Sequence, residues 1–280
     1  MAARFADADN INEFFDNLIV GIDSVSECPD SRKKDIESYL DFHNINKTNR
    51  NYRQAAFLKN IDGFDYEFFR ISPKEAEIMD PHQRLLLQTS YQAIEDSGYD
   101  VDKLNGMNVG IYTGFPTEYS CKVYQNMIME TNPELAQDSF SGNLVSMLPA
   151  RLSYYLNLHG PAMLVDTSCS SSLSAVHLAC QAIYTNDCEM AIANGVNIFT
   201  VPLANDVVNS IGIVASDGKA RPFDEAGSGV GQGEGIGAIV LKPLSKALKD
   251  SDHIYAVISV SYTHLEPHET DQYLVCRLLL

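Results

Sequence analysis

The stretch Ala162-Met163-Leu164-Val165-Asp166-Thr167-Ser168-Cys169-Ser170-Ser171-Ser172-Leu173 constrains this chain more than any other. Ala162 to Val165 have the length and composition of a short buried strand, and they run into a polar turn. From Ser170 the pattern becomes helical, with Leu173, Val176, Cys180 and Ile183 spaced to fall on one face. Buried strands that hand over to amphipathic helices build an α/β fold. Cys169 stands at such a handover. The unpaired N–H groups of a helix N-terminus and the positive end of its dipole favour a thiolate there, which makes Cys169 a candidate nucleophile. Most free cysteines are instead small buried hydrophobes. Thr167, Ser168 and Ser170 to Ser172 argue against that reading, because they make the turn too wet for simple core packing.

Composition narrows the function classes. The 280 residues suffice for a full core in one or two domains, and a hydrophobic content of 45% is that of a globular protein. Lys plus Arg number 20 against 37 Asp plus Glu, a formal charge of −17, and basic residues cluster only at Arg32-Lys33-Lys34. That balance argues against a nucleic-acid partner. The six cysteines include no C-x-x-C spacing and read as reduced thiols. The N-terminus lacks the apolar core of a signal peptide, and no run approaches the ~20 residues of a membrane span. A soluble, cytoplasmic protein is expected.

Asp9 or Asn10 is placed to cap a helix carrying Ile11, Phe14, Phe15 and Leu18 and stopped by Gly21. Residues 22 to 60 are polar and irregular, with a short helix expected from Asp30 to Phe42 and no evident chemistry. Ser72-Pro73 and Asp80-Pro81 are helix starts, each a polar cap followed by proline. The second opens a helix through Leu85, Leu86, Leu87, Tyr91 and Ile94 that ends at Gly98. His82, in its first turn and without a partner in sequence, reads as a solvated surface residue. Val109 to Gly114 reads as a strand, Leu144 to Leu156 as an amphipathic helix bent or broken at Pro149, and Ala191-Ile192-Ala193 as a strand followed by Gly195.

Glycines at 227, 229, 231, 233, 235 and 237 invite a nucleotide-loop reading. A dinucleotide fingerprint needs offsets of 0, 2 and 5, and a phosphate loop needs Gly-Lys-Ser/Thr. The even spacing here never reaches offset 5, and Gly218-Lys219 is followed by Ala220. Nucleotide binding is not supported. Gly233 to Leu241 reads instead as a strand that another backbone or a substrate approaches closely. His264 and His268 have a metal-compatible helical spacing, but Pro267 lies between them and no third ligand is evident, so no metal site is expected.

The segment D-T-S-C-S-S-S-L, followed by Ala175-Val176-His177, closely resembles the active-site signature of β-ketoacyl synthases in the form used by modular polyketide synthases. D-P-H-Q-R-L-L-L-Q-T-S-Y-Q-A-I-E-D-S-G-Y from Asp80, the approach Arg151 to Pro161, and Asp217 to Lys242 with its Phe223-Asp224 pair resemble the same family. His82 stands where glutamine is usual, and Ser168 where many members have alanine. The resemblance implies a thiolase-like layered α/β fold, α/β/α/β/α in the intact family, of which this chain holds mainly the N-terminal, nucleophile-bearing half. It divides the chain into residues 1–258, a ketosynthase N-terminal domain whose first strand is missing, and a tail, 259–280, without family counterpart. A frameshift, a chimeric junction, a sequencing remnant or a genuine family-specific extension would produce such a tail.

By the same resemblance, Cys169 takes an acyl group from a carrier-protein thioester. The intact enzyme joins that group to a malonyl-type extender by decarboxylative Claisen condensation, in polyketide or fatty-acid-type biosynthesis. Implied partners are an acyl carrier protein, a second copy in a homodimer and neighbouring synthase domains. Substrates arrive as phosphopantetheine thioesters, with no bound cofactor or metal. Two histidines of the second half, well over a hundred residues beyond the nucleophile, act on the extender. This chain ends at Leu280 before either, so alone it is expected not to condense. His177 is eight residues on, ~12 Å along a helix, which is too far for a hydrogen bond to Cys169 and suits structural packing. Alternative readings are a non-catalytic remnant, a carrier-protein docking module, or a Cys-dependent thioester hydrolase, although no His/Asp pair is placed to activate water.

Overall fold

The computed structural model describes residues 1–46, 50–117, 123–203 and 212–259. Its strands are β1 (Ala2–Phe5), β2 (Val25–Glu27), β3 (Gln54–Ala56), β4 (Val109–Gly114), β5 (Ala162–Val165), β6 (Met190–Asn197) and β7 (Gly235–Leu241). Its helices are α1 (Ile11–Val20), α2 (Asp30–Phe42), α3 (Pro73–Ile78), α4 (Pro81–Asp96), α5 (Val123–Thr131), α6 (Phe140–Asn143), α7 (Met147–Tyr155), α8 (Ser171–Tyr184) and α9 (Leu244–Asp250). Cys121, His264, His268 and Cys276 lie outside the described residues.

A five-stranded sheet in the order β1-β7-β6-β4-β5 carries the architecture. β4 runs parallel to β5 and β6, whereas β7 runs antiparallel to β6 and β1. Alternate strand residues face opposite sides. Ile111 and Ile192 pack with Leu87 and Ile94 of α4 and with Leu152 and Leu156 beside α7. Their neighbours Tyr112, Ala191 and Ala193 face Ala175, Ala179 and Ala182 of α8. Helices on both faces make β4 buried along its whole length, as a central parallel strand requires. Each Leu or Ile on the α4 face contributes ~1.5–3 kcal/mol by leaving water. The α8 face buries mainly alanines and so gains proximity rather than area.

Local signals placed several elements where the sequence puts them. Asn10 caps α1 through Glu13 N–H, and Gly21, at φ 74°, ends it in the left-handed region that favours glycine. Ser72 and Asp80 cap α3 and α4, each with proline in the first turn. The Asp30–Phe42 helix also forms, burying Ile36 and Leu40.

Other expectations are corrected. Ala2–Phe5 form a strand of the sheet, pairing antiparallel with Gly235–Ala238, and Ala3 is buried. Residues 22 to 60 are not irregular throughout: besides α2, β2 and β3 form a short antiparallel ladder. Three-residue strands are too short to show a period. The helix expected from Leu144 begins at Met147, which places Pro149 third in the helix, where no intrahelical N–H bond is lost and no break occurs. β5 is an edge strand with Ala162 and Met163 exposed, rather than a buried one. On α8 the buried face is Ser171, Ala175, Ala179 and Ala182, while Leu173 is exposed.

Candidate active site

Cys169 lies in a single 3₁₀ turn, Ser168–Ser170, between β5 and α8, and its side chain is exposed. Two glycines let α8 begin there. Gly114 at the end of β4 and Gly195 on β6 are register partners, so they sit side by side on the sheet. A Cβ on Gly114 would come within 2.5 Å of Ser172 N, and one on Gly195 would collide with Ser172 Oγ. With both side chains absent, the first turn of α8 rests on the strand backbones.

The turn is held by its own polar side chains. Ser168 has φ 58°, a left-handed conformation that costs a non-glycine residue ~1–3 kcal/mol unless its surroundings fix it. Ser168 N–H donates to Asp166 Oδ1 at 2.9 Å, and Ser171 Oγ donates to the Ser168 carbonyl at 2.6 Å. Thr167 N–H donates to Ser171 Oγ at 2.9 Å. The other oxygen of Asp166 accepts from the Thr117 hydroxyl and, at 2.9 Å, from Thr117 N–H. The Thr117 hydroxyl, then the Ser168 and Thr117 N–H groups, hold the Asp166 carboxyl below the usual carboxylate range. A depressed carboxylate stabilises the fold above its unfolded value of ~3.9, and that contribution is lost only as pH falls through the folded value. The turn therefore stays braced at neutral pH.

Cys169 opens onto a cavity of about 1480 Å³ whose wall includes Phe5, Gly114, Gly195, Phe199 and Ile239. The exposed thiol thus lies beside a large, mainly apolar hollow. Among the described residues, no histidine lines this cavity, and no group of three or more His, Cys, Asp or Glu is placed to hold a metal.

Residues 1–247 match the family model described as the N-terminal domain of β-ketoacyl synthase. The chain belongs to the β-ketoacyl synthase family. It is 41% identical over 268 residues to polyketide synthase PksM of Bacillus subtilis, covering 93% of this chain and 6% of that protein. Identity to the 6-methylsalicylic acid synthase of Aspergillus niger is 43% over 208 residues, 74% of this chain and 12% of that one. The solved ketosynthase from module 6 of the bacillaene synthase of Bacillus subtilis superposes with a TM-score of 0.74 at 35% identity, over 91% of this chain and 40% of that structure. The fold is thus the thiolase-like fold of ketosynthases. The chain spans a small fraction of these curated relatives and under half of the solved ketosynthase domain.

In this ketosynthase chain Cys169 is where the sequence places it, at the strand-to-helix turn. His177 is half-buried on α8. Gly233 to Leu241 is closely approached as read, since a Cβ on Gly235 would meet the Phe5 ring at 2.7 Å; upstream, one on Gly231 would meet the Gly218 carbonyl at 2.6 Å. Phe223 of the Phe223-Asp224 pair is fully exposed.

His82 is not solvated. It is 1% exposed, with Nδ1 2.6 Å from Asp80 Oδ1, Nε2 3.2 Å from the Ile198 carbonyl, and its ring edge-on to Phe115. Asp80, two residues earlier, was the available signal, but it reads in sequence as a cap alone. His82→Ala leaves a buried carboxylate and a buried carbonyl without these contacts, so a loss of ~1–3 kcal/mol is expected in a thermal or urea melt. A melt unchanged within error would show that neither contact matters.

Sequence reasoning also missed a buried ion pair. Glu234, inside the glycine run, accepts from Arg32 Nη2 at 2.7 and 2.6 Å, from Leu58 N–H at 2.9 Å and from Phe199 N–H at 2.8 Å. Arg32 belongs to the one basic cluster of the sequence, yet it is 6% exposed. No local pattern links residues 202 apart in sequence.

Proposed function

We propose that this chain is the nucleophile-bearing part of a polyketide-type ketosynthase that performs decarboxylative Claisen condensation, with Cys169 as acyl acceptor. The observation that carries the reading is an exposed thiol at a helix start, inside the D-T-S-C-S-S-S-L turn and open to the apolar cavity. The Cys169 thiolate attacks the carbonyl of an acyl phosphopantetheine thioester. Its new C–S bond replaces the bond to the carrier sulfur, which leaves as a thiol after protonation. Loss of CO₂ from the malonyl-type extender then supplies a carbanion, which attacks the acyl-Cys carbonyl and expels the Cys169 thiolate. Backbone N–H groups hold the developing oxyanion. No bound cofactor or metal takes part.

The implied partners are an acyl carrier protein, neighbouring synthase domains and a second copy. The open edge of β5, with Met163 and Leu173 exposed beside it, supports a homodimer built along this side of the sheet. The residue range 1–258 is assigned to the ketosynthase domain and 259–280 to an unrelated tail, in a cytoplasmic enzyme.

Acylation without condensation is the behaviour proposed for this chain alone. Loss of acid/base groups costs ~10²–10⁴ in rate, and loss of one oxyanion donor a further ~10²–10³. Incubation with an acyl thioester, read by mass spectrometry, is expected to label Cys169 before Cys28, Cys121, Cys180, Cys188 or Cys276. Burial pushes the Cys28 thiol up to about 11 and raises those of Cys180 and Cys188, which disfavours their thiolates. Equal labelling of all six cysteines would overturn the nucleophile assignment. A β-ketoacyl product formed with malonyl carrier protein, and absent from Cys169→Ala, would show that this chain carries the condensing groups after all.

A further inference from the structure

We propose that Asp166, held by Thr117, is the positioning residue of the nucleophile turn. It fixes the left-handed backbone of Ser168, and through it the direction in which Cys169 Sγ attacks. The assignment rests on Cys169 being the acyl acceptor.

Asp166 is the point at which two separate loops meet. Oδ1 accepts from Ser168 N–H at 2.9 Å, on the residue immediately before the nucleophile. Oδ2 accepts from both the N–H and the hydroxyl of Thr117, three residues beyond the end of β4. The carboxylate therefore spans from the segment after the central strand to the one peptide of the turn with strained φ. Ser171 secures the far side of that peptide by donating to its carbonyl at 2.6 Å, and its hydroxyl also takes the Thr167 N–H. Ser168 is thus gripped at its N–H by Asp166, itself held by Thr117 after β4, and at its carbonyl by Ser171 of α8. Among the described residues Cys169 itself makes no hydrogen bond of this kind, so its orientation is inherited from Ser168. An asparagine at 166 would keep one acceptor oxygen but turn a second donor toward either Thr117 or Ser168.

Directed attack on a thioester carbonyl needs placement to within about an ångström, and such a misplacement costs on the order of 10²-fold in rate. Alkylation of the same thiol by iodoacetamide tolerates many approach angles. The two rates therefore separate placement from folding or ionisation.

The test uses the full chain and three variants: Asp166→Asn, Thr117→Val, which loses the hydroxyl, and Thr117→Ser, which keeps it. Rates of Cys169 acylation by an acyl thioester and of alkylation by iodoacetamide are followed across pH, with a thermal melt of each variant. Acylation is expected to fall ~10²-fold in Asp166→Asn and ~10-fold in Thr117→Val, and to recover in Thr117→Ser. The alkylation rate and the midpoint of its pH profile should stay close to those of the parent. Acylation of Asp166→Asn and Thr117→Val within twofold of the parent would overturn the assignment. So would parallel losses in acylation, alkylation and melting temperature, which mark a structural role, or a displaced alkylation midpoint, which marks a charge effect. A parent chain that takes no acyl group at Cys169 would sink the functional reading and this assignment together.

Discussion

Gly114→Ala is expected to slow acylation of Cys169 by on the order of 10²-fold while leaving most of the sheet folded. The added Cβ would lie 2.5 Å from Ser172 N, 2.6 Å from Ser172 Cα and 2.7 Å from the Ser171 carbonyl carbon. All three are backbone atoms, so no side chain can rotate away, and the first turn of α8 must lift by about an ångström to reach ordinary contact. Overpacking of this kind costs ~1–3 kcal/mol, which a folded domain can absorb. The chemistry cannot absorb it as easily, because Cys169 moves with the helix start and an ångström of misplacement costs on the order of 10²-fold. Gly195→Ala is the built-in comparison. Its Cβ would meet the Ser172 hydroxyl, a rotatable group, with the Gly114 carbonyl at 3.3 Å. A smaller loss is expected there. Acyl uptake by mass spectrometry, alongside a circular-dichroism melt, checks both variants. If Gly114→Ala acylated within threefold of the parent, the contact between strand and helix would not be what sets the nucleophile.

What the sequence made legible was whatever is decided within a few residues. The Asn10, Ser72 and Asp80 caps bond to N–H groups two or three positions on, so composition alone locates those helix starts. The turn that carries Cys169 is equally local: strand, polar turn and helix follow one another without interruption, and Cys169 falls between them. Gly233 to Leu241 read as a closely approached strand, and Gly235 indeed lies against Phe5 of β1. Reading failed where a residue's environment is set by a distant segment. Ala162 to Val165 look like a core strand, yet strand order puts them at an edge. Leu173, Val176, Cys180 and Ile183 spell an apolar stripe, but the glycines beneath α8 select its smallest residues for the sheet. His82 looked solvated because Ile198, one of its partners, is 116 positions away. The Thr117 to Asp166 link and the Arg32 to Glu234 pair were invisible for the same reason.

That last pair carries the second large expectation: Arg32→Ala should destabilise the fold by ~3–5 kcal/mol, a major part of the ~5–15 kcal/mol typical of a domain. The Glu234 side chain is fully buried, and removing Arg32 leaves its charge facing only the Leu58 and Phe199 N–H groups. Urea unfolding followed by circular dichroism should show a lower midpoint with an unchanged slope. Glu234→Leu should cost at least as much, because it strands the Arg32 guanidinium and both amide donors together. The double variant Arg32→Met/Glu234→Leu separates these losses. Replacing a buried ion pair with hydrophobes is often neutral, so the charge part of the penalty should vanish. The Leu58 and Phe199 N–H groups would still lack their acceptor, at ~1–3 kcal/mol for each donor left buried. Stability should therefore recover only in part, to a value between the parent and either single variant. Full recovery would mean that Glu234 serves only as the partner of Arg32. Partial recovery with slowed acylation of Cys169 is the expected result, because Phe199 lines the same cavity and its backbone is held in place by Glu234.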